Sequence, residues 1–126
     1  MGTHEGMVFQ DSDLFNWLEA VGNVLGTRAW AADGEVIAAM RAWSEEAVAL
    51  IAAAQQPDGY VNTYFSVKEP GQRFRNLRDA HELYCSGHLI EAGVALFSGT
   101  GNRAILDVVR RLADLIDSRF GIEPGK

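Results

Sequence analysis

At 126 residues, with 48% hydrophobic content and only 3 prolines, the chain has the size and composition of one folded domain and not of a disordered tail. Its 17 acidic against 11 basic side chains give a net charge of −6, which argues against nucleic acid and anionic membrane surfaces as partners, since the basic residues gather nowhere more densely than at Arg73, Arg75 and Arg78. One cysteine forms no internal disulfide, no apolar run approaches the roughly 20 residues of a membrane span, and "MGTHEGMVF" lacks the features of a secretory signal; the compartment stays open, with the cytoplasm the expectation.

The first predicted helix opens at "DSDLFNWLEAVGNVL", where Ser12 or Asp13 can cap and Leu14, Trp17, Leu18, Val21, Val24 and Leu25 recur at three and four. A second starts from a cap at Asp33 and runs through Val36, Ile37, Met40, Trp43, Ala47, Val48 and Ile51 until Pro57 forbids continuation. Residues 56–76 then change character. Turn chemistry at Pro57-Asp58-Gly59 precedes a β-branched and aromatic hexad, and Pro70-Gly71 breaks the chain again. A loop of this length in a small domain is uncommon and tends to be functional, and the tyrosines and Asn62 of "GYVNTYF" suit a polar ligand. The plainer alternative is a short strand or turn laying its aromatics over the helix ends.

A third helix is predicted from about Asn76 to Phe97 and a fourth from Asn102 to a stop at Gly121, joined by "SGTGN". Short links make successive helices antiparallel neighbours, so the fold class is all-α, with antiparallel hairpins over residues 12–55 and 76–120 in one domain spanning 1–126. Gly87 and Gly93 inside the third helix predict close approach by another backbone, because glycine there costs about 1 kcal/mol relative to alanine.

The stretch "DAHELYCSGHLIEA" concentrates the chemistry. On a helix His81, Cys85 and His88 share one face, which permits a metal, but one helix supplies only part of a ligand shell and "HELYC" fails the zinc-protease pattern. No metal is therefore expected. Cys85 reads as a buried small hydrophobe before it reads as a nucleophile, which needs an accessible electropositive site. His88 reads as a satisfied core residue, Glu82 and Glu91 as groups pointing elsewhere, either on the helix surface or supporting the residues that contact a ligand, and His81, beside the polar loop, as the imidazole able to face a ligand.

The strings "VFQDSDLFNWLEAV", "AAAQQPDGYVNTYF", "NLRDAHELYCSGHLIEAGVA" and "FSGTGNRAILDVVRRLADLI" are similar, in this order and spacing, to the early catalytic-domain helices of the β-L-arabinofuranosidase family, glycoside hydrolase family 127. The similarity runs from about Met7 to Phe120. It implies a slice of an (α/α)6 barrel, a ring of paired helices with the sugar pocket at one end. It also implies a retaining glycosidase whose nucleophile is a zinc-bound cysteine and whose acid/base is a glutamate. Those groups and the other zinc ligands belong to a later part of the family's barrel, and Cys85 lies in the earlier "HELYC" string. The expectation is thus a fragment with no catalytic residue and no cofactor of its own, retaining part of the substrate wall. His81 matches a family histidine expected to hydrogen-bond the sugar, and Asn62, Tyr64 and Asp11 are the accompanying candidates for contact with an L-arabinofuranoside.

The rival expectation is a small all-α carbohydrate-binding or protein-interaction module derived from that barrel. Either way, two hairpins cut from a ring expose an apolar face bearing Trp17, Trp30 and Trp43, and a homo-oligomer, with a two-fold dimer the simplest, is expected to cover it.

Overall fold

Helix α1 spans Asp11–Gly26, α2 Gly34–Ala54, α3 Thr63–Val67, α4 Glu82–Thr100 and α5 Arg103–Arg119, with one turn of 3-10 helix at Pro70–Gln72. The computed structural model describes residues 3–27 and 34–126, and among these there is no strand. The predicted caps fare unevenly. Gln10, not Ser12 or Asp13, precedes α1 and makes no side-chain cap, while the Ser12 hydroxyl donates to the Phe9 carbonyl at 2.8 Å. Asp33 and Trp30 lie outside the described residues.

The third predicted helix begins later than its sequence suggests. Asn76 instead nucleates a turn, its side-chain oxygen accepting from the Asp79 amide at 3.1 Å and its carbonyl from Ala80 at 3.0 Å, which is the local competition asparagine offers to a helix. His81 then takes a left-handed conformation, φ 55°, and α4 starts only at Glu82. The other end is as expected. Gly101, φ 75°, closes α4 with its amide on Phe97, and the Asn102 side chain caps α5 by accepting from Ile105. This tight link folds α5 back along α4.

The most intimate packing joins α1 to α4. A β-carbon on Gly22 would lie 2.5 Å from the main-chain atoms of Ala95 and Leu96, and one on Gly99 would strike the Gly22 carbonyl, so the two backbones touch. The paired positions advance together, Phe9 with Cys85, Gly22 with Leu96 and Gly26 with Gly99, so α1 and α4 run parallel. The close approaches expected at Gly87 and Gly93 are corrected accordingly. Gly87 faces open space, and Gly93 receives the Val109 side chain and not a backbone.

Around the seam, Leu18, Leu89, Ala92, Leu96, Ile105 and Leu112 are sealed from solvent, and each large aliphatic buried this way contributes about 1.5–3 kcal/mol. A smaller cluster of Tyr60, Phe65, Ala80 and Leu115 sits under the loop, which packs its aromatics over the helix ends as a short helix and not as a strand. The opposite flank of α1 and the outer side of α2 stay uncovered: Leu14 and Trp17 are about two-fifths exposed, Trp43 60% and Leu50 64%. No helix among the described residues is long and apolar enough to cross a membrane.

Candidate functional site

The loop of residues 56–76 lies across the N-terminal ends of α1 and α4 and is clamped there by the first carboxylate of each. Asp11, the first residue of α1, accepts from the Thr63 amide at 2.7 Å and from the Thr63 hydroxyl at 2.5 Å. Glu82, the first residue of α4, accepts from the Tyr60 hydroxyl at 2.5 Å and from the Phe74 amide at 2.7 Å. On the far side the loop is tied to α5: Gln55 donates to the carbonyls of Gly59 and Val108, and the Arg111 guanidinium donates to those of Gln56 and Pro57. Gly59, φ 97°, is required at that turn because a side chain there would run into the Arg111 carbonyl.

Glu82 is 1% exposed, so of the two places expected for it the helix surface is excluded. A buried carboxylate without partners would be costly, and here both oxygens are occupied. Tyr60 is equally buried, with the Arg73 guanidinium 4.0 Å over its ring and Phe74 edge-on at 5.3 Å. Burial, then the bond to Glu82, pushes the Tyr60 phenol well above the usual tyrosine range, so it remains a donor. Sequence reasoning missed this pair, although Tyr60 stands in "DGYVNTYF" and Glu82 in "HELYC".

The four candidates for sugar contact gather around this clamp without lining one cleft. Asp11 borders a pocket of about 260 Å³ with Leu14, Leu50 and Val61. Asn62 caps α3, its side-chain oxygen accepting from Phe65 at 3.0 Å, while its buried amide nitrogen has no partner; it borders a cleft of about 360 Å³ with Gln56, Thr63 and Ser66. Tyr64 donates to Glu69 at 3.1 Å, which raises its pKa, and lines a polar cleft of about 380 Å³ with Gln72, Arg75, Asn76 and Asp79. His81 is half-buried between the ring edges of Phe9, 5.3 Å away, and Tyr84, 5.8 Å away.

The trio His81, Cys85 and His88 does not share a helix face, because His81 sits before α4 in left-handed conformation. Cys85 is buried, its thiol directed at the Phe9 carbonyl, and burial followed by the charge of Asp11 pushes its pKa up to about 11. A protonated, enclosed thiol is neither a nucleophile nor a ready metal ligand. His88 is half-buried and not a satisfied core residue: its Nδ1 has no hydrogen-bond partner and stands 3.6 Å from Glu91. Glu19 joins them, so one imidazole and two carboxylates present ligand atoms within 4.8 Å of one another, a nitrogen and oxygen set with no thiolate.

Three comparisons bear on this geometry. The profile of the beta-L-arabinofuranosidase GH127 catalytic domain matches residues 1–126. A non-reducing end beta-L-arabinofuranosidase from Bifidobacterium longum subsp. longum is 42% identical over 125 residues, 96% of this chain and 18% of that protein. Among solved structures, a GH127 beta-L-arabinofuranosidase from Geobacillus stearothermophilus T6 superposes with a TM-score of 0.88 at 50% identity, covering all of this chain and 19% of its own. A second GH127 beta-arabinofuranosidase does so with a TM-score of 0.82 at 28% identity, covering all of this chain and 20% of its own. The chain thus spans about a fifth of the length of these relatives, and the five helices among its described residues correspond to part of a helical barrel.

Proposed function

Because the chain belongs to the beta-L-arabinofuranosidase GH127 catalytic-domain family, we propose that it supplies one wall of a pocket for L-arabinofuranosides. The observation that carries this reading is the superposition of the whole chain on a GH127 beta-L-arabinofuranosidase at half-identical sequence. The loop end of the bundle is the part suited to a sugar. There His81 offers an imidazole between two rings, Tyr64 a phenol beside a polar cleft, and Asn62 an amide with an unused donor, while Asp11 fixes the loop through Thr63. These groups recognise hydroxyls by hydrogen bonds and ring faces by apolar contact, the usual division in a small-molecule site.

The described groups do not themselves carry hydrolysis. Retaining hydrolysis needs a nucleophile and an acid/base carboxyl. Cys85 is enclosed and protonated, and Glu82 has both oxygens committed. The donor set does not fit a zinc-thiolate centre either, since the one cysteine is occupied in the core. The chain alone is therefore expected to bind methyl β-L-arabinofuranoside weakly and not to cleave an aryl β-L-arabinofuranoside. Titration followed by NMR checks the first claim through the resonances of His81 and Tyr64, and silence at both would overturn it. Turnover lost on Cys85→Ala would overturn the second.

Self-association belongs to the same proposal. The exposed Leu14, Trp17, Trp43 and Leu50 form an apolar flank of the kind soluble monomers seldom leave bare, and a second copy related by a two-fold axis would cover it. Light scattering at micromolar concentration reads the result directly.

A further inference from the structure

We propose that Glu82 is a positioning residue for His81: its buried carboxylate, fastened to Tyr60 and to the Phe74 amide, holds the left-handed turn at His81 and so fixes where the imidazole meets a sugar hydroxyl. The inference rests on the reading of His81 as a sugar contact. Two non-glycine residues among those described have positive φ, Phe74 at 59° and His81 at 55°, and they stand at the two ends of the segment 74–81. Such backbone persists only where its surroundings over-determine it, and it concentrates at functional positions. Here the over-determining group is visible. Glu82 accepts the Phe74 amide with one oxygen, closing the segment end to end, and anchors the other oxygen on the buried Tyr60.

His81 has no comparable hold of its own. Its carbonyl accepts from Cys85 at 2.9 Å as the first bond of α4, but its imidazole makes no capping bond and is bounded by the ring edges of Phe9 and Tyr84. The direction of the ring is therefore set by the backbone, and the backbone by Glu82. If His81 relaxed to right-handed φ, α4 would extend backwards, the Asn76–Ala80 turn would move, and the imidazole would swing away from Phe9. The bond between Tyr60 and Glu82 also joins the "DGYVNTYF" and "HELYC" strings, so the loop and the histidine are placed by one group.

The test is NMR on the isotopically labelled chain, where amide couplings and carbon shifts report φ at Phe74 and His81 and the imidazole protons report the currents of the flanking rings. Glu82→Ala is expected to abolish the left-handed signature at both residues and to weaken methyl β-L-arabinofuranoside about fivefold, the loss of one well-placed hydrogen bond. Glu82→Gln is expected to rescue both, because its amide oxygen accepts from Phe74 while its NH2 group donates to the Tyr60 oxygen. A core variant, Val109→Ala, should lower the melting temperature and leave the signature in place, separating positioning from general stability. An unmoved signature in Glu82→Ala, or an equal change in Val109→Ala, overturns the proposal. If Glu82→Ala does not fold, Tyr60→Phe takes its place, and a signature identical to the parent chain overturns the proposal equally. Resonances of His81 that ignore the sugar while its φ still depends on Glu82 would remove the sugar contact and leave the backbone assignment standing.

Discussion

Helix α1 has two apolar flanks, and they end in opposite conditions. Toward α4 it presents Gly22 and Gly26, and at Gly22 the backbones meet with no room for a methyl group. Toward α2 and beyond it presents Leu14 and Trp17, which with Trp43 and Leu50 remain open to solvent. Both flanks are apolar, since Phe15 and Leu18 stand seven and four residues before Gly22 on its face and are buried. What the first flank adds is a pair of glycines, which let two rigid rods approach until main-chain atoms touch and the large residues beside them close over the seam.

The sharpest way to break this contrast is Gly22→Ala. One methyl group against the Ala95 and Leu96 backbone cannot be absorbed by rotating a side chain, and roughly 3 kcal/mol of stability should be lost in urea unfolding. A change near zero would mean that the seam is looser than described. Alkali attacks the same region. Cys85, at the head of the seam, has its pKa raised from 9.0 to about 11, so the unfolded chain releases this proton first. Its contribution is complete below pH 9 and disappears as pH rises through 11, and the raised Tyr60 adds to the loss above pH 10. Thermal melts between pH 8 and 11 should show this fall, and Cys85→Ser should flatten the lower part of it.

Gly87→Ala sharpens the comparison from the other side. It has nothing within 4 Å, so removing glycine's helix penalty should stabilise the chain by about 0.5–1 kcal/mol. Smallest for the fold is Trp43→Ser, on the open flank. Its effect on unfolding should stay within about 0.5 kcal/mol, while the mass seen by light scattering and the binding of an apolar dye should both decrease.

The helices were legible because their apolar residues recur at helical spacing, most plainly in α5 at Ile105, Val109, Leu112 and Ile116. The start of α4 was not, since the competition from Asn76 and the left-handed His81 depend on what the loop does in space. Gly87 and Gly93 drew attention by lying in the middle of a helix, yet the functional spacing was Gly22 to Gly26, two small residues four apart on one face. A periodic reading weighs large residues and passes over such a pair. For the candidate site, His81, Asn62, Tyr64 and Asp11 were named as hydroxyl-contacting types, but the bonds that bury Glu82 were not legible. Glutamate is seldom fully buried, and only the Tyr60 hydroxyl and the Phe74 amide, distant in sequence from one another, account for it.

Because α1 and α4 run the same way, their peptide dipoles reinforce one another instead of cancelling, and both positive ends open beneath residues 56–76. Asp11 and Glu82 occupy the first position of these two helices, where about half a positive charge gathers at each terminus, and neither is in an ion pair among the described residues. The opposite ends, at Gly26 and Thr100, have no basic residue in their last turns. The C-terminal ends of α2, at Ala54, and of α5, beside Phe74, also reach the loop, so the positive field there is local to the starts of α1 and α4 and comes from main-chain amides. Main-chain dipoles do not titrate, so this local field persists wherever the helices stand.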